Sequence, residues 1–97
     1  MTRLADVALK IRSKNAGPFW LTIDIFCGTP DAFTRVRDGL KTETVAARLR
    51  TDALKRFDIA DLHVVKFSLP RPDIQGTRAD RDMHGASFAN LLSGLEI

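Results

Sequence analysis

Ninety-seven residues make one domain: the chain is too short for two ordinary cores and long enough for one. Hydrophobic residues at 44% and charged residues at 28% argue against a wholly disordered chain, and a net charge of +3 is mild beside the dense basic clusters of nucleic-acid modules. One cysteine excludes an internal disulfide framework and a multi-cysteine zinc site, no apolar run approaches the ~20 residues that span a bilayer, and the first residues lack a signal peptide's long apolar stretch. The expectation is a single cytoplasmic domain over residues 1–97, with no membrane partner.

In chain order, residues 4–11 fit two periodicities. Leu4, Val7, Ala8 and Ile11 suit a helix; Ala5, Val7, Leu9 and Ile11 suit a strand equally well. Residues 12–18 read as a loop. Residues 19–26 then alternate, with Phe19, Leu21, Ile23 and Ile25 on one side and Trp20, Thr22, Asp24 and Phe26 on the other. Thr29 is a good N-cap, Pro30 suits the first helical position and Gly39 can stop the helix. A second start at Thr42 puts Val45, Ala46 and Leu49 on one face, which gives two short helices or one broken helix.

Residues 54–58 are a charged, edge-type strand, 59–61 its turn, and 62–69 a better strand with Val65, Phe67 and Leu69 on one face. Pro70 and Pro72 are expected to stop its pairing. Residues 70–83 form a long loop, of a length that is commonly functional. A closing helix over 84–93 has Asp82 as a cap and Gly94 past its end. With a strand in the first segment the order is ββαββα. That is an α+β, ferredoxin-like two-layer sandwich, permuted so that the last strand comes first, with an antiparallel sheet and its helices on one face. The other face stays open unless another chain covers it.

Arg12, Ser13, Lys14, Asn15 and Gly17 combine two cations, a hydroxyl, an amide and flexible backbone, the ingredients of an anion site. There is no Walker spacing, so a nucleotide is not indicated. The plain alternative is a solvated hairpin loop. The second loop interleaves Arg71, Arg78 and Arg81 with Asp73, Asp80 and Asp82. Asp80, Asp82 and His84 have no known metal spacing, and the arginines beside them oppose a cation, so ion pairs that tether the loop are the expectation and no metal or cofactor is. Asp24 and His84 are the weak acid–base candidates. Cys27 has no partner histidine and reads as a small semi-buried residue. Arg35, Arg37, Lys41, Arg48, Arg50, Lys55 and Arg56 read mostly as a solvated face, and no segment matches an aromatic RNP pattern, so nucleic acid is not expected.

Leu4-Ala5-Asp6-Val7-Ala8, the run from Arg12 to Phe19, Leu21-Thr22-Ile23-Asp24-Ile25, Ser68-Leu69-Pro70-Arg71-Pro72, Gly76, Asp80-Arg81-Asp82, Gly85 and the Leu91-to-Ile97 tail together resemble a known group. It is a family of roughly hundred-residue bacterial and fungal proteins of unknown function, similar to the small ferredoxin-fold domain at the C-terminus of AtuA-like (acyclic terpene utilisation) proteins. The likeness spans essentially the whole chain. It implies a small subunit encoded beside, or fused to, a larger AtuA-like protein in organic-acid or acyl-CoA metabolism. No catalytic residue carries over. The motif positions worth testing are residues 12–17, Asp24, Arg71 and Asp82.

The leading expectation is an accessory subunit that docks on a larger AtuA-like protein and helps form a site for an anion. Arg12, Lys14 and Arg71 would neutralise a carboxylate or a CoA-type phosphate, and Ser13 and Asn15 would add directional bonds. The rivals are an independent small enzyme of hydro-lyase or acyl-CoA type, with its site between protomers, and a homodimeric structural module.

Overall fold

The computed structural model describes residues 2–16, 19–70 and 92–97. Its centre is β2 (Trp20–Phe26), where alternation buries Leu21, Ile23 and Ile25 almost completely. β2 pairs on one side with β1 (Lys10–Asn15) and on the other with β4 (Val64–Pro70), and β3 (Lys55–Ile59) lies outside β4. The order is β1-β2-β4-β3, and every pair is antiparallel. Both edge strands are rich in charge, which discourages pairing with a further strand.

The first segment resolves by division. Leu4–Val7 is one helical turn, α1, which buries Leu4 completely; the backbone turns extended at Ala8 and the chain enters β1 two residues later. Arg12 to Asn15 are therefore strand and not loop, a correction to the reading of residues 12–18. The reason is pairing. Ile11 stands opposite Ile25, and the register carries the charged residues along with it to Asn15 opposite Leu21. The hairpin closes with the Ala16 N–H donating to the Trp20 carbonyl at 2.9 Å. The Leu9 N–H donates to the Phe26 carbonyl at 2.8 Å, which extends the ladder at its other end. Gly28 there has φ +88°, a conformation that strains any side chain, and a Cβ on it would also lie a tight 3.3 Å from Cβ of Leu9.

After β2 come α2 (Pro30–Gly39) and α3 (Thr42–Leu49), two helices with Leu40 and Lys41 between them. The Thr29 hydroxyl accepts the Ala32 N–H at 3.1 Å, Pro30 takes the first turn and Asp31 complements the positive helix end. α2 buries Phe33 and Val36, and α3 buries Val45 and Leu49. Arg50 ends α3 in the left-handed region at φ 55°.

A 3₁₀ turn, Ala60–Leu62, and His63 at φ 54° join β3 to β4. β4 runs through Pro70, which stands opposite Trp20; pairing does not stop before that proline, because the last position of a strand tolerates a missing N–H. Residues 92 and 93 are helical, with Leu92 in the core; the rest of the helix expected over 84–93, and the loop from 71 onward, lie outside the described residues.

The core lies between one sheet face and the helices. Leu21, Ile23, Ile25, Val65, Phe67 and Leu69 meet Leu4, Phe33, Val36, Leu40, Val45, Leu49 and Leu92. Arg56 enters from the edge strand. Its guanidinium donates to the Leu40 carbonyl (2.6 Å), the Arg37 carbonyl (2.8 Å), the Thr42 hydroxyl (3.2 Å) and the Asp58 carboxylate (2.9 Å), and it lies 5.7 Å from the Phe67 ring centre. Arg56 thus departs from the solvated face expected of the basic middle: it holds β3 to the helix junction.

The two ends of the described chain meet. The Leu4 N–H donates to the Leu95 carbonyl at 2.7 Å, the Ile97 N–H donates to the Thr2 carbonyl at 2.9 Å, and Arg3 and Glu96 form an antiparallel bridge. The architecture is a small α+β domain with a four-stranded open antiparallel sheet and helices on one face.

Candidate anion site on the sheet

The face opposite the helices gathers the chemistry. Register places Arg12, Asp24, Lys66 and Phe57 in one row across the four strands, with Lys14, Thr22, Ser68 and Lys55 in the next. Arg12, Ser13, Lys14, Asp24 and Phe26 line a cavity of about 250 Å³. Residues the sequence marked in separate segments, 12–14 and 24, are thus brought together by the β1–β2 hairpin. Strand alternation puts Arg12 and Lys14 on this face. Ser13, opposite Ile23, and Asn15, opposite Leu21, belong to the helix side by the same alternation, although Ser13 still borders the cavity.

Charge on this face is unbalanced. The ion pairs between described residues are Arg3–Asp6, Arg37–Asp38 and Arg56–Asp58, and Arg12, Lys14 and Lys66 take part in none of them. Asp24 has cations as cross-strand neighbours on both sides, Arg12 and Lys66, yet its Oδ1 is buried without a hydrogen-bond partner among the described residues. The Thr22 hydroxyl, two residues away on the same face, is buried and equally without a partner among the described residues. Two orphaned polar atoms on neighbouring positions of one strand are costly, because each loses water and gains nothing.

Aromatic side chains frame the site. Phe26 packs under the Lys10 ammonium, which lies 5.6 Å from its ring centre, and Lys55 sits 5.5 Å from the centre of the Trp20 ring. Trp20 and Phe57 are exposed for 39% and 49% of their surface, which leaves two large apolar groups on the basic face. Sequence reasoning found the Trp20–Phe26 face by alternation. It missed Lys66 and Phe57 as neighbours of Asp24, because that row depends on two further registers that no local signal sets.

Gly17, Arg71, Asp82 and His84 lie outside the described residues. His63 immediately precedes β4; its ring is 6.3 Å from that of Phe33 and its carbonyl accepts the Cys27 N–H at 2.8 Å. Burial pushes the Cys27 thiol pKa up, opposite to what a nucleophilic thiolate requires. Among the described residues no three or more His, Cys, Asp or Glu side chains are grouped to hold a metal, and no helix is long and apolar enough to cross a membrane.

A family model described as a domain of unknown function (DUF4387) matches residues 4–96, nearly the whole chain. No curated protein and no solved structure matches.

Proposed function

The chain belongs to the DUF4387 family of domains of unknown function, and we propose that it is an accessory small subunit that docks on a larger AtuA-like protein and helps form a site for an anionic ligand of organic-acid or acyl-CoA metabolism. The observation that carries this reading is the Arg12–Lys14 pair at a cavity of about 250 Å³, with no ion-pair partner for either cation among the described residues. Two positive side chains two residues apart on a strand share one face, and a carboxylate or phosphate between them gains charge-assisted bonds from both. The exposed Trp20 and Phe57 on the same face supply apolar anchors for a docked protein, as aromatic residues do at interfaces. The choice of partner rests on the sequence resemblance to AtuA-associated domains alone.

The test is co-expression of the tagged chain with an AtuA-like protein from the same genome. Stable co-purification is expected, and the double variant Trp20→Asp, Phe57→Asp should reduce recovery about tenfold or more while circular dichroism stays unchanged. A folded chain that neither binds that protein nor alters its activity overturns the proposal. A concentration-dependent homodimer lost in the same double variant, with no binding to the AtuA-like protein, points instead to a self-associating module.

A further inference from the structure

We infer that the anion held by Arg12 and Lys14 also brings a neutral hydrogen-bond donor to Asp24, which makes the ligand class a small hydroxycarboxylate; this rests on the anion-site reading above. A carboxylate oxygen only accepts hydrogen bonds. Asp24 lines the same cavity, and its Oδ1, folded under the cavity wall, has no donor among the described residues. A simple carboxylate seated against Arg12 and Lys14 would leave that oxygen orphaned and add a like charge beside it. A ligand whose hydroxyl points at Asp24 while its carboxylate faces the two cations gives Asp24 a donor and both cations an acceptor. An ammonium donor fits poorly, since Arg12 and Lys66 flank Asp24 and Lys14 stands one pair along. The cavity of about 250 Å³ suits an acid of few carbons.

The experiment is a titration of the ¹⁵N-labelled chain with matched acids that differ by one hydroxyl, lactate against propionate and glycolate against acetate. Amide shifts in residues 10–15 and 22–26 are the readout. The hydroxy acids should bind about tenfold more tightly than their deoxy partners, the usual scale for a hydrogen bond to a charged group. Asp24→Ala should bring the two affinities within about twofold, and Arg12→Gln with Lys14→Gln should remove the shifts for both acids. Equal affinity for lactate and propionate in the unaltered protein overturns the hydroxyl inference and leaves the anion site standing. Absence of shifts with all four acids overturns the anion site, and the inference with it. The comparison of acids needs no variant, so it decides the matter even where Asp24→Ala fails to fold.

Discussion

Cys27 shows how one buried atom writes a pH dependence into the fold. Its thiol is 3% exposed, its Sγ lies 3.7 Å from the Ile25 carbonyl, and burial holds its pKa above the ordinary thiol range. The folded protein therefore keeps this proton to higher pH than the unfolded chain does. Its contribution to stability is complete below the unfolded thiol's pKa, about 8.5, and is lost as pH rises from there through the folded value. Urea unfolding from neutral pH to about pH 10 should show the protein losing stability relative to Cys27→Ala as pH climbs. A difference between the two that stays constant with pH would show that the thiol does not titrate differently on folding. The lack of a partner histidine in the sequence pointed to a semi-buried cysteine, whereas the extent of its burial is a tertiary fact.

At the scale of elements, the joint between β3 and the α2–α3 junction depends on Arg56. Its fork meets three acceptors on the helix side and the Asp58 carboxylate, while its side chain is 15% exposed. Lysine offers a point charge and cannot reproduce that planar set of donors. Arg56→Lys should cost about 2 kcal/mol and Arg56→Ala at least as much, read from the denaturant midpoint, with the Thr42 hydroxyl and two carbonyls left to find other partners. An effect under about 0.5 kcal/mol for both variants would place Arg56 among ordinary surface residues. The helices themselves were legible: Thr29-Pro30 marks the start of α2, and the spacing of Val45 and Leu49 marks the buried side of α3. β2 and β4 were legible through alternation. β1 was not, because Arg12, Lys14 and Asn15 have the chemistry of a loop. They are a strand only because β2 offers them a pairing edge, a non-local cause that no window of the sequence contains. Arg56 was misread for the same reason, since a charge inside a basic run gives no sign that three helix-side acceptors wait for it.

For the whole molecule, the division of labour between the two sheet faces follows from register. One face is a dry core, and the other gathers Arg12, Lys14, Lys55 and Lys66 around Asp24 with two exposed aromatics. The residues of the candidate site were half legible. Arg12, Lys14 and Asp24 stood out by type and Phe26 by alternation, whereas their convergence on one cavity needed the β1–β2 register, and Lys66 as a neighbour of Asp24 needed the β2–β4 register.

The hydrogen bonds joining residues 2–4 to residues 95–97 have a consequence of their own. They hold residues 2–4 and 95–97 side by side, so a short linker can join these two stretches and the chain can be opened elsewhere. Bridging the two ends with about six Gly and Ser residues, and opening the chain at the exposed Ala60–Leu62 turn, should return the same amide spectrum and a melting temperature within a few degrees. Failure of that permuted chain to fold would show that the β3–β4 turn must be intact. Adjacent ends of this kind are the geometry that lets a domain sit in a surface loop of a host without pulling the host's strands apart.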